Sequence, residues 1–544
     1  MSALSPAQRI FLLACFLGWT AFAIYAPENV SVDVYFFRDA ACNWVQGGGF
    51  RTASLEKSVS FNPVLYSSYP PLSLWSFIPF AAIFGCTWRA ASMHTIVLTT
   101  LGNLFVLAAG LRVATTPLLR WLLVALVGLT LPLGFLLGES DRPEELTFLL
   151  LATLLWLLGR RKQTVAGFAV QGLLAGLAFL SEPFGGVISV LAIAGAALGR
   201  ALYLQRDRED ARNANQLPIP DWNPPVATRL RRFFTRSLIA AVFFVLPLAL
   251  TVAIFQHQDP TALARFERHA RLAGTDRALH YGMSADTNEE EAREPKASLP
   301  QKIHNALRFQ IAKGPIYELQ LVGLGLTALL GLLLALSSPL REAWPVWAML
   351  AIGLLLPWLT FPMQDNYHTL GEAAVPLALA LGWAGYRLTR TRERTLLFAI
   401  FAVQLLCLLP NALVQFIFRV DARSSALAAA QQARFVGQYM QSHGLGNTVL
   451  LVPPPDYYLY KPAHPNLYNP NYYSKREGMA QVGGVLTCKT STLDFSEIPV
   501  PPTFSGDWNL IAKGGPPVAV TLLHHQVMHR NWSYGCDAFV RAPR

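Results

Sequence analysis

Apolar runs of roughly 17–25 residues, each long enough to cross a bilayer as a helix, recur along this 544-residue chain. We read about eleven, at 9–27, 90–111, 119–137, 145–159, 164–182, 184–204, 236–256, 316–337, 343–361, 370–388 and 395–418. Only 14% of the residues are charged and 53% are hydrophobic, which suits an integral membrane protein. The first run lacks a small-residue cleavage site of the A-x-A kind, so it reads as a retained span rather than a signal peptide.

The net charge of +11 is distributed by topology. With Met1 cytoplasmic, the inner turns hold Arg112 and Arg120, Arg160-Arg161-Lys162, eight arginines from Arg200 to Arg236, Arg341, and Arg387 to Arg394. The outer turns Ser181–Gly186 and Pro362–Thr369 carry no Lys or Arg. This is the positive-inside pattern, so the basic balance reports orientation and not a nucleic-acid partner. The run Leu72–Phe84 is too short for a span, and counting it as one would invert everything after it. It is expected instead as a helix lying at the external surface, with Trp75 and Trp88 at the interface.

From Arg419 the composition changes to that of a soluble external domain large enough for its own core, giving a membrane domain 1–418 and a tail 419–544. Within the tail, Ala422–His443 has helical periodicity ended by Gly444 and Gly446, and strands are expected at Thr448–Val452, Gln481–Thr487 and Val518–Leu523. Cys42, Cys86, Cys488 and Cys536 all fall outside under this topology. The expected disulfides are Cys42–Cys86, tying the first loop to the end of the surface helix, and Cys488–Cys536, closing the tail.

Residues able to carry chemistry concentrate in the external turns. The first loop holds Asp33, Tyr35 and Asp39, then Gly47-Gly48-Gly49, then Tyr69-Pro70-Pro71. The second turn reads G-E-S-D-R-P-E-E and supplies Glu139, Asp141 and Arg142, while Glu144 and Glu145 form an acidic helix start behind Pro143. The third, L-S-E-P-F-G-G, offers Glu182. The turn P-M-Q-D-N-Y-H-T-L-G-E offers Asp365, Tyr367 and His368. The long loop His257–Lys313 opens with an amphipathic segment bearing Arg265 and Arg268, suited to anionic headgroups or to a lipid-phosphate entry. A carboxylate at a membrane surface is costly unless it is paired or functional.

The D-x-Y element ahead of a glycine cluster and Y-P-P resembles the first external loop of GT-C membrane glycosyltransferases. Within them it resembles the polyprenyl-phosphate-sugar group that includes bacterial mannosyl-, arabinofuranosyl- and aminoarabinose-transferase-like families. The resemblance covers roughly Val32–Glu372. It implies an α-helical polytopic GT-C-like fold with external juxtamembrane helices; the tail reads as a small α/β extracytoplasmic domain. It implies Asp33 as the base that takes the acceptor proton, with Asp39 as its competitor. The alternative for either is a solvated carboxylate or a partner for Arg38. His368 is implied beside the leaving phosphate. Tyr35, Tyr69, Glu139, Asp141, Arg142, Glu182, Asp365 and Tyr367 then become candidates for holding donor or acceptor. The mannosyltransferase group usually has a Lys before the proline of the third turn, where this chain has Glu182.

The partners expected are a polyprenyl-phosphate-linked sugar, a glycolipid or glycan acceptor, and membrane lipids. No cofactor is expected, and a divalent metal is compatible but not indicated. The chain has no G-x-x-x-x-G-K-[ST], no G-x-G-x-x-G after a strand, no H-E-x-x-H and no C-x-x-C. The rival class is a polytopic lipid or sugar transporter. Transporters place ionisable groups at mid-membrane on broken helices, whereas here they sit at span ends.

Overall fold

A computed structural model describes residues 4–26, 34–50, 71–111, 114, 116–130, 144–158, 164–203, 226–258, 391–453, 456–468, 481–488, 507–515, 521–522, 525–526 and 535–542, with isolated helical positions between 319 and 333. The helices are α1 (Pro6–Tyr25), α2 (Val34–Phe37), α3 (Asp39–Val45), α4 (Leu72–Phe84), α5 (Trp88–Gly110) and α6 (Pro117–Ala125), which runs into a π-helical turn at Leu126–Thr130. They continue with α7 (Glu144–Leu158), α8 (Val165–Ser181), α9 (Pro183–Tyr203), α10 (Val226–Gln258), α11 (Thr391–Ser442) and α12 (Tyr457–Tyr460).

Local sequence sets the helix starts. Ser5 accepts from the Gln8 amide while the Gln8 side chain accepts from the Ser5 amide, a capping box ahead of Pro6. Thr116 before Pro117 and Thr164 before Val165 cap α6 and α8 by accepting from the amides of Leu119 and Gly167. Among the described residues, three helical stretches are long and apolar enough to cross a membrane: Pro6–Tyr25, Trp88–Gly110 and Arg231–His257. Shorter apolar helices include Leu72–Phe84, which coincides with the expected surface helix, and Val165–Ser181. The expected spans 343–361 and 370–388 lie outside the described residues, as does nearly all of 316–337.

The bundle core is built from Leu12, Val106, Leu123, Phe148, Leu151, Ala175, Ile188 and Phe401. Helices α8 and α10 approach most closely where Gly172 and Gly176, one turn apart, face Ala240, Phe244 and Pro247. A side chain at either glycine would collide with the α10 backbone, the small-xxx-small packing used where apolar burial alone does not hold helices together. The outer side of α10 leaves Leu238, Val242, Leu246 and Leu250 exposed, as suits a lipid-facing helix.

The last expected span and the expected tail helix are one element, since α11 runs unbroken through Phe418 and Arg419. Nothing in F-R-V-D-A-R can break a helix. The change of composition there marks a change of surroundings and not of backbone. At its end Gly444 takes φ +72, and the Leu445 amide reaches back to the Met440 carbonyl at 2.7 Å, a Schellman closure.

The tail sheet is mixed, in the order β2 (Leu467–Tyr468), β1 (Val449–Leu451), β3 (Val482–Thr487), β7 (Asp537–Arg541) and β4 (Trp508–Ala512). Strand β1 is parallel to both neighbours, while β7 is antiparallel to β3 and β4. A small hairpin pairs β5 (Thr521–Leu522) with β6 (His525–Gln526). One face of the main sheet packs Val449, Leu451, Tyr468, Val482 and Val485 together. The other belongs to a core shared by three regions: Val34, Tyr35 and Cys42 of the first loop, Leu74 and Phe77 of α4, and Val436, Leu450, Tyr457 and Leu486 of the tail. The first loop is thus an integral layer of the tail's core.

Candidate functional site

The first loop presents two short helices in succession, with the Arg38 amide bonded to the Val34 carbonyl and the Cys42 amide to the Arg38 carbonyl, both at 3.0 Å. Asp33 immediately precedes this segment and lies outside the described residues. Tyr35 is fully buried. Its hydroxyl donates to the Val452 carbonyl, and its ring meets Tyr457 edge-on at 5.0 Å. Burial, then the charges of Asp39 and Asp456, holds the Tyr35 phenol well above the ordinary tyrosine range, so it remains a donor.

Asp39 opens α3 and is also fully buried. Its Oδ1 accepts from Tyr457 at 2.6 Å and from Lys461 Nζ at 2.8 Å, and its Oδ2 accepts from Asn43 at 3.2 Å. Lys461 gives its other two protons to Asn43 Oδ1 at 2.9 Å and the Pro465 carbonyl at 3.2 Å. An ammonium has three donors, and all three are used here. A buried pair is tolerable when its remaining lone pairs and protons are bonded, and this one meets that condition. Burial and then the Asp39 charge push the Tyr457 phenol well above its usual value.

Arg38 points the other way, into the bundle. Its guanidinium lies over the Phe77 ring at 4.7 Å and pairs with Glu145 at 3.9 Å. Glu145 stands in the first turn of α7, as an acidic helix start should, and also accepts from Thr95 at 3.1 Å. Further along, Thr147 donates to Ser181 at 3.0 Å, which ties the first turn of α7 to the end of α8. Glu182 follows as the extended C-cap of α8, buried, with its amide on the Ala178 carbonyl and its carbonyl accepting from Gly186. Ser76 of α4 and His94 of α5 share a hydrogen bond at 2.8 Å in the same neighbourhood, with Phe77 and Phe80 edge-on to the imidazole.

Of the sequence candidates, the structure therefore brings Tyr35 and Asp39 together against the tail, and links their loop through Arg38–Glu145 and Thr147–Ser181 to the turn that holds Glu182. Asp33, Tyr69, Glu139, Asp141, Arg142, Arg265, Arg268, Asp365, Tyr367 and His368 lie outside the described residues. Sequence reasoning missed Asn43, Tyr457 and Lys461. The available signal was a lysine set among tyrosines and prolines in D-Y-Y-L-Y-K-P, an unusual place for a solvated charge.

The structure carries both Cys42–Cys86 and Cys488–Cys536, with Cα separations of 5.5 and 4.5 Å. The first ties α3 to the α4–α5 turn. The second lies beside Asp456, whose carboxylate accepts from the amides of Gly535 and Cys536 at 3.0 and 3.2 Å. Burial, only partly offset by those amides, pushes the Asp456 carboxyl up to about 7. Among the described residues, Asp456, Cys488 and Cys536 form the one group of metal-ligand type within 4.8 Å, and its two sulfurs are joined to each other.

No protein-family model matches the chain. No curated protein matches it either. Among solved structures it is similar to ArnT from Cupriavidus metallidurans bound to undecaprenyl phosphate, at 14% identity over 85% of this chain and 75% of that one, with a TM-score of 0.41. It is also similar to the Archaeoglobus fulgidus oligosaccharyltransferase in the apo form, at 13% identity over 88% and 69%, with a TM-score of 0.44. The same enzyme in complex with Zn and sulfate matches at 13% identity over 88% and 67%, with a TM-score of 0.43.

Proposed function

We propose that this chain is a GT-C-type membrane glycosyltransferase that moves a sugar from a polyprenyl-phosphate donor to a lipid or glycan acceptor at the external face of the cytoplasmic membrane. What carries the reading is the D-x-Y segment. Its first described residues are buried and fixed on both sides, to the tail through Tyr35 and Asp39 and to the bundle through Arg38–Glu145. A loop that merely joins two spans needs no such fixation. A loop that must hold a catalytic carboxylate in place does.

In the proposed reaction Asp33 takes the proton of an acceptor hydroxyl while that oxygen attacks the anomeric carbon. The bond to the lipid phosphate breaks, and the phosphate leaves with the electron pair toward His368 and Arg142, which offset its growing charge. Tyr69, Glu139, Asp141, Glu182, Asp365 and Tyr367 are the proposed contacts to sugar and acceptor. Arg265 and Arg268 rest on anionic headgroups near the lipid entry. Eleven spans, a cytoplasmic N-terminus and an external tail complete the proposal.

The test is incubation of purified protein with a panel of polyprenyl-phosphate sugars, following loss of the sugar. Asp33→Asn keeps size and hydrogen-bonding shape but cannot act as base, so turnover should fall at least about a hundredfold with donor binding retained. Near wild-type transfer by Asp33→Asn with an inactive Asp39→Asn would remove Asp33 as the base and leave Asp39, buried against Lys461, as a residue that holds the loop. Full activity in both would make the loop structural and favour the transporter.

A further inference from the structure

We infer that Lys461 and Tyr457 of the tail are positioning residues for the catalytic loop, acting through Asp39; this rests on the transferase reading. The first loop cannot hold its own shape. Its helices are 4 and 7 residues long, far below the length at which a helix is stable by itself. From Val34 to Asn43 it is fixed from outside at Tyr35, Arg38, Asp39, Cys42 and Asn43. Three of those five residues are held by the tail. Removing the tail's contacts leaves the ties at Arg38 and Cys42 and the apolar packing of Val34, Ala40 and Ala41.

The attachment at Asp39 has the properties of a geometric clamp. Carboxylate, ammonium and phenol are fully buried, the charges cancel, and each bond lies between 2.6 and 3.2 Å. Lys461 grips α3 at both Asp39 and Asn43, one helical turn apart, which fixes the rotation of that helix as well as its place. Since α2 and α3 are joined by backbone bonds from Val34 through Cys42, a rotation of α3 carries the start of α2 with it. Asp33 is the next residue. A shift of about 1 Å in a catalytic group can cost on the order of a hundredfold in rate. The tail thereby acquires a role in turnover although it lends no group to the reacting atoms.

The experiment compares Lys461→Met and Tyr457→Phe with Val485→Ala in the full-length chain. Val485 is buried in the cluster on the opposite face of the sheet, so its truncation is expected to destabilise the tail away from the clamp. Turnover number, donor KM and melting temperature are measured for each in lipid nanodiscs, with assays run well below the lowest melting point. Both clamp variants are expected to lower kcat about tenfold or more while donor KM changes less than about twofold, and Val485→Ala is expected to keep the wild-type kcat despite its lower melting temperature. Clamp variants with the kcat of Val485→Ala would overturn the inference alone, leaving the transferase reading intact. A wild-type chain that transfers no sugar from any donor would overturn both.

Discussion

Replacing Asp456 with Asn should remove the fall in the tail's stability that this carboxyl causes between pH 3.8 and about 7. The carboxyl is pushed from 3.8 up to about 7, chiefly by burial, so the folded chain holds a proton that the unfolded chain releases anywhere between those values. The folded state then binds more protons than the unfolded one. Stability is therefore fully present below pH 3.8, is lost as pH rises toward about 7, and is level above. At about 1.4 kcal/mol per unit, the whole window is worth on the order of 4 kcal/mol. The groups facing Asp456 are the phenols of Tyr35 and Tyr460 and the Cys488–Cys536 disulfide, none of which changes charge in this window. His464 works in the opposite sense. Burial pulls its imidazole below 6.5, so its contribution is lost as pH falls through that value. The difference between wild type and Asp456→Asn isolates the carboxyl. Native-state hydrogen exchange of β3 and β7, corrected for intrinsic rates and compared at about pH 5 and pH 8, reads it directly. The wild type should lose protection relative to the variant as pH rises. Parallel profiles for the two proteins would refute the reasoning.

Non-reducing peptide mapping should recover Cys42–Cys86 and Cys488–Cys536 as the two pairs. Removing the first, which closes a separation of 44 residues, should cost up to about 4 kcal/mol of unfolding free energy in chemical denaturation. Gly172→Leu should abolish recovery of folded protein in size-exclusion chromatography, since its Cβ meets the Ala240 backbone. Gly18→Leu, which meets nothing within 4 Å, should not.

Periodicity and length made the bundle helices legible, and Leu72–Phe84 shows why. Its length was too short for a span, and the composition around it marked both ends. The unbroken α11 was misread because a shift in polarity resembles a boundary, whereas only backbone-breaking residues make one. Strands β4 and β7 were missed because they are five residues each and acquire their edges from partners distant in the chain. The pairing of the clamp was invisible for a related reason. Asp39 stands out as a loop carboxylate and Lys461 as a lysine among tyrosines and prolines, yet 422 positions separate them. Nothing within either local segment announces the other.

The separation of 422 residues between Asp39 and Lys461 has a consequence for biogenesis. At about 5–20 residues per second, the ribosome needs roughly 20–80 s to deliver the lysine after the aspartate has been made. Throughout that interval the Asp39 carboxylate lacks the counter-ion that it has in the finished fold, while the chain between the two residues is still being made. The loop is finished only when Lys461 arrives. A chain cut short before Lys461 cannot form this pair, so the contact that fixes the first loop is among the last the chain can make.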